Sequence, residues 1–142
     1  MKILIAYATK GGAAKECAEA LAKEIGDCTV CDLDGSAPNV ADFDIVVLGT
    51  GIRMGGAYKP FKKFIDANAA ELLTKNVAFF FCCIVMKEFD KMISKNVPAE
   101  LRNAAFRIGA FGGKPVFGGK KAKDWMLRDE VAAFAGAVKE KK

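Results

Sequence analysis

The sequence predicts an α/β domain of three layers, with helices on both faces of a five-stranded parallel sheet. Two observations carry this. Apolar runs alternate with amphipathic helical stretches five times along the chain. Those runs are apolar at successive positions, as in strands covered on both sides, and not alternately apolar as in a sheet with one wet face. No repeat and no linker divides the pattern, so the 142 residues read as a single domain, 1–142.

Lys2 to Ala8 forms the first strand, rich in Ile and Leu. From Ala13 to Ile25 the residues Ala14, Cys17, Ala18, Leu21 and Ile25 share one helical face, and Gly26 stops the helix. Cys28 to Leu33 is a shorter second strand, followed by a loop at Asp34-Gly35-Ser36-Ala37-Pro38. Phe43 to Leu48 is the third strand, which Gly49-Thr50-Gly51 breaks. Pro60 opens a helix to about Asn68, with Phe61, Phe64 and Ile65 inward. Val77 to Ile84 is a fourth buried strand. Lys87 to Asn96 is a helix with Phe89, Met92 and Ile93 on one side, and Pro98 to Ala105 a short further helix. Arg107 to Phe111 is the fifth strand. Asp124 to about Lys139 closes the chain as a helix with Leu127, Val131, Phe134, Ala135 and Val138 inward.

Composition excludes several classes. Apolar residues make up 52% and charged residues 27%, a globular balance and not a disordered one. No apolar run approaches the ~20 residues of a membrane span. The short apolar start lacks a small-residue cleavage site, so it reads as a strand and the expected location is the cytoplasm, where the five cysteines stay reduced. With no histidine the chain cannot build a mixed Cys/His zinc site. Cys28 and Cys31 lie three apart on a strand and point to opposite faces, which argues for packing over redox pairing. The net charge is +5, with lysines gathered near the C-terminus. An anionic lipid surface or an acidic protein would match that charge, and a solvated lysine-rich end with no partner is the alternative. Nucleic acid is not expected, since no zinc finger, aromatic RNA-binding strand or basic recognition helix is visible.

In parallel sheets ligands gather beyond the carboxyl ends of the strands. The turn after the first strand is Thr9-Lys10-Gly11-Gly12-Ala13-Ala14. It precedes a helix, so free backbone N–H groups and the helix dipole favour an anion there. A ligand-free strand-to-helix turn would have the same composition. It is not G-x-G-x-x-G and not a P-loop, and it lacks the acids of a phosphotransfer receiver. The second loop, Gly49 to Tyr58, is glycine-rich yet apolar through Ile52, Met54 and Tyr58. The third runs from Cys82 to Phe89 and is also apolar. One loop suits a phosphate, and two suit a flat apolar ring.

On ATKGG at 8–12, GTGIRMGGAYKPFKKFI at 49–65 and AFFFCCIV at 78–85, the chain resembles the flavodoxin-like FMN-binding family, nearest the branch of menaquinone-dependent protoporphyrinogen oxidases. The resemblance implies the strand order 2-1-3-4-5 and FMN as cofactor. By position it implies that Thr9, Lys10, Gly11, Gly12, Ala13 and Ala14 hold the phosphate. Thr50, Gly51, Ile52, Arg53 and Met54 would line one side of the ring, and Cys83, Ile84, Val85 and Met86 the other. Tyr58 is the stacking candidate, with packing as the alternative; Trp125 and Phe89 read as packing residues. Arg53 can pair with the phosphate, touch the ring edge or face solvent. Where the family commonly has hydroxyls this chain has Gly11 and Ala14, so weaker FMN binding is expected, by roughly 1.5–3 kcal/mol per lost bond to a charged group. Redox proteins, acidic ones in view of the net charge, are the expected partners. A quinone-linked dehydrogenase touching a membrane and a fold that has lost FMN are the alternatives.

Overall fold

The computed structural model describes residues 1–35, 38–83, 88–113 and 125–142. Its elements in chain order are β1 (Ile3–Ala8), α1 (Ala13–Ile25), β2 (Thr29–Asp32), a 3-10 turn (Val40–Asp42), β3 (Ile45–Arg53), β4 (Gly56–Ala57), α2 (Lys59–Leu72), β5 (Asn76–Cys82), α3 (Phe89–Asn96), α4 (Ala99–Ala104), β6 (Arg107–Ala110) and α5 (Arg128–Glu140). The strands run β2-β1-β3-β5-β6, all parallel, and β4 pairs antiparallel with the end of β3. Setting the two-residue β4 aside, this is the expected 2-1-3-4-5 order.

Successive strand residues feed two cores. Ile3, Ile5, Tyr7, Val47, Phe80 and Cys82 meet α1 and α5 on one face. Leu4, Ala6, Ala8, Leu48, Phe79 and Phe81 meet α2, α3 and α4 on the other. This is why the strands read as unbroken apolar runs. Phe80 stacks on Phe111 at 4.9 Å between centroids, and Phe134 meets Phe111 edge-on at 5.3 Å.

Several sequence expectations need correction. The third strand does not end at Leu48; it continues through Gly49-Thr50-Gly51 to Arg53. Those residues pair with Phe80, Phe81 and Cys82 of β5. Gly49 is there because a Cβ would collide with the Phe80 ring. Ladder pairing and a close approach override the breaker signal of the glycines. Leu127 is not inward: it precedes α5 and is 41% exposed. Because Leu127 N–H is bound to Phe111 O at 2.9 Å, the last helix starts at Arg128 and not at the expected Asp124; likewise the fourth long strand ends at Cys82, short of Ile84, and α3 starts at Phe89 after the cap Glu88, past the expected Lys87.

Candidate functional site

The turn between β1 and α1 is held by its own backbone. Gly12 caps α1 at φ 88°, a left-handed value that suits glycine. Its N–H donates to Thr9 Oγ1 at 2.9 Å, which leaves the Thr9 hydroxyl proton able to donate outward. The first bond of the helix runs from Glu16 N–H to Gly12 O at 3.0 Å. The amides of Ala13, Ala14 and Lys15 therefore have no acceptor within the helix. A Cβ on Gly11 or Gly12 would meet no atom within 4 Å, so the turn opens onto free space. Open amides, a helix N-terminus and the exposed Lys10 and Lys15 fit an anionic group. Ala14 is fully buried in the core with α5, so it offers its amide and no side-chain contact at the surface.

The second loop is a hairpin. Ile52 pairs with Ala57 and Arg53 with Gly56. Met54 (φ 53°) and Gly55 (φ 78°) form the two-residue tip, with the positive φ angles of a type I′ turn. Met54 is 96% exposed and Arg53 is exposed beside it, with no ion pair among the described residues. Of the options open to Arg53, this is the solvent-facing one.

Asn96 of α3, 5% exposed, pins the hairpin. Its Oδ1 accepts from Ala57 N–H at 2.9 Å, while Nδ2 donates to Gly55 O at 3.0 Å and Met92 O at 2.7 Å. Sequence reading passed over Asn96. The available signal was a polar residue on the same helical face as Phe89, Met92 and Ile93.

Thr50 is fully buried and supports the loop from below. Its hydroxyl donates to Gly51 O at 2.8 Å and accepts from Tyr58 N–H at 3.3 Å. The Tyr58 ring lies so close over Gly51 that a Cβ there would stand 2.8 Å from it. Lys10 Nζ sits 5.3 Å from the centroid of the same ring. Tyr58 thus joins the first turn to the second loop.

Cys83 is half-buried at the end of β5, and burial pushes its thiol up to about 11. With Ile52, Gly55, Phe89 and Met92 it lines a cleft of about 240 Å³ between the hairpin and α3. Ile84, Val85 and Met86 lie outside the described residues. Cys82 faces the opposite core, where a hydrogen bond with Cys17 and then burial raise its thiol well above the ordinary range. Cys28 and Cys31 pack against opposite faces, as strand alternation requires. Trp125 packs against the α1/α5 core, and Phe89 meets Phe81 edge-on at 6.4 Å.

The family description "Flavodoxin domain" matches residues 4–116. This chain belongs to the flavodoxin family. Among curated relatives of this flavodoxin-family chain, the Leishmania major "Protoporphyrinogen IX dehydrogenase [quinone]" is 30% identical over 96 residues, which is 63% of this chain and 42% of that protein. The chain thus spans less than half the length of that relative. Oxidised Flavodoxin 1 from Bacillus cereus superposes with a TM-score of 0.65 at 18% identity, covering 99% of this chain and 98% of that one. A flavoprotein from Lactobacillus acidophilus NCFM, solved in complex with FMN, superposes with a TM-score of 0.57 at 16% identity over 77% of this chain and 92% of that one. At these identities the two structures support the fold of this flavodoxin-family chain.

Proposed function

We propose that this chain binds FMN and serves as an electron-transfer protein. The observation that carries the reading is the pairing of an anion-ready turn with an apolar cleft at the carboxyl ends of parallel strands. Family membership and a structural neighbour bound to FMN support it. The free amides of Ala13, Ala14 and Lys15, the Thr9 hydroxyl and Lys10 would hold the phosphate, beside Gly11 and Gly12, whose missing side chains leave the approach open. Gly51 and Thr50 would hold the ring wall formed by Ile52, Met54 and Tyr58. Cys83 would face it, joined by Ile84, Val85 and Met86 in the assignment that rests on resemblance. Bound FMN supplies the electron chemistry.

The chain's own residues bind and orient. The hairpin and α3 exclude water from the ring, and the raised Cys83 keeps its proton, so it presents a neutral apolar thiol. Arg53, Lys91 and Lys95 on the exposed hairpin and α3 favour an acidic redox partner. Purified protein should be yellow and release flavin on denaturation. Colourless protein that quenches no FMN fluorescence at excess would end the proposal.

The quinone relative favours a second reading, a dehydrogenase that passes electrons to quinone at a membrane surface. Complementation of a haem-deficient strain separates it from a carrier.

A further inference from the structure

Two buried thiols meet between α1 and the end of β5. Cys17 lies in the second turn of α1, one turn beyond the Gly12 cap. Cys82 ends β5, pairs in register with Gly51 and immediately precedes Cys83. Helix α1 packs directly on β5, and both cysteines belong to the core on that face of the sheet. A side-chain hydrogen bond joins the two thiols. Cys17 is fully buried and Cys82 is 5% exposed. Both are free thiols. Neither takes part in the proposed FMN site, because Cys82 faces the core opposite to the one that Cys83 packs against. Any small apolar side chain would pack in either place, but only a pair of thiols can be joined by a bond.

We infer that Cys17 and Cys82 form a reversible disulfide that latches α1 to the end of β5 under oxidation by a peroxide. Thiols that already share a hydrogen bond need only a short approach of two side chains to reach disulfide distance. Hydrogen peroxide is small enough to reach Cys82 through a brief local opening. The Cys82 sulfur attacks one peroxide oxygen, the O–O bond breaks, and Cys82 becomes a sulfenic acid while the other oxygen leaves as water. The Cys17 sulfur then attacks the Cys82 sulfur. The S–S bond forms, the S–O bond breaks and a second water leaves. The two thiols give up two electrons and two protons, and one hydrogen peroxide is reduced to two waters. Burial keeps both thiols protonated and slow, so the latch answers sustained oxidant and stays open under reducing conditions. Closing it ties the turn proposed for the phosphate to the strand that carries the ring-facing loop. That consequence rests on the flavin reading, and the disulfide itself does not.

The test takes the full chain, reduced and then freed of reductant, and exposes it to hydrogen peroxide at low protein concentration. A monomer lighter by two hydrogens is expected, and tandem mass spectrometry should place the bond between Cys17 and Cys82. Dithiothreitol should restore the original mass. The oxidised chain should unfold at higher urea than the reduced one, because a cross-link restricts the unfolded chain. FMN release from the oxidised chain should slow about tenfold, since changes in affinity fall mainly on dissociation. Cys17→Ala, a change suited to a helix interior, should abolish both effects. If that variant misfolds, the peptide map of the wild-type chain decides alone. A bond between any other pair of cysteines, or higher oxides at Cys82 with no bond to Cys17, would overturn the inference. A disulfide that leaves the rate of FMN release unchanged would overturn its link to the site. A chain that binds no FMN yet forms the bond reversibly leaves the latch standing while the flavin reading falls.

Discussion

The first turn and the β3–β4 hairpin form neighbouring parts of one candidate site, yet they hold their shapes by different means. The turn is self-contained: Gly12 supplies the left-handed backbone, Thr9 accepts the Gly12 N–H, and the helix begins. All of its parts lie within a few residues. The hairpin depends on Asn96, whose bonds to Ala57 and Gly55 span 39 and 41 residues. A local device is robust to what happens elsewhere in the chain. A pinned loop is only as firm as the helix that pins it.

The sharpest way to break the comparison is Asn96→Leu. It removes the hairpin's pin and leaves the Met92, Gly55 and Ala57 backbone groups of these part-buried bonds without that partner. A loss of about 2–4 kcal/mol in urea unfolding is expected. FMN affinity should fall too, while an anion bound at the first turn is unaffected. If stability is unchanged, the hairpin does not rely on α3.

Next comes Cys83, behind the hairpin. With its thiol near 11 against an ordinary 9.0, the thiolate fraction at pH 8 is roughly a hundredfold below that of a free cysteine. Iodoacetamide should label it correspondingly slowly in the folded protein, and the Asn96→Leu variant should label faster. The linkage sign follows. The folded pKa is raised, so this site's contribution to stability is fully present below pH 9 and is lost as pH climbs from about 9 to 11. Titrating urea stability across that window, in wild type and in Cys83→Ser, measures it.

Gly12→Ala tests the turn. A left-handed φ of 88° should cost about 1–2 kcal/mol, though the added methyl meets no atom within 4 Å. A loss smaller than that would mean the turn relaxes to another backbone path. Ala14→Ser then sharpens the phosphate assignment. Because the Ala14 side chain is buried in the core, the added hydroxyl should leave FMN affinity unchanged, and a tightening of about tenfold, the lower end of a charge-assisted bond, would show that it reaches the anion. Unchanged affinity would show that the burial of this position, and not its chemistry, governs the site.

The smallest expected change is electrostatic. FMN bound to this basic chain should accept its final electron at a less negative potential than in acidic flavodoxins, and Arg53→Glu should move that potential more negative. The shift is modest because Arg53 stands exposed at the hairpin in high-dielectric water. Spectroelectrochemistry of both proteins checks it; a potential at or below the acidic flavodoxins' would refute the charge argument.

Much of this architecture was legible in residue patterns. Helix α1 occupies the span its periodicity and Gly26 predicted. The CxxC pair divides between two faces because strand alternation leaves no other choice. Other features were hidden. Gly49-Thr50-Gly51 carries the composition of a break, and only the ladder with β5 makes it strand. Ala14 follows the glycines of the first turn in sequence, yet its methyl belongs to the core.

What the sequence by itself determined was the alternation of strands and helices, the two-faced burial of the sheet and the position of the first turn. These depend on hydrophobic period and backbone freedom over short spans, and both are written locally. The tertiary structure alone decided how far β3 runs, which face each buried residue serves and that Asn96 holds the hairpin. It also decided that the Cys17 and Cys82 thiols meet in one core. Those outcomes require distant segments to meet, and the energy of such contacts is not encoded in any window of neighbouring residues.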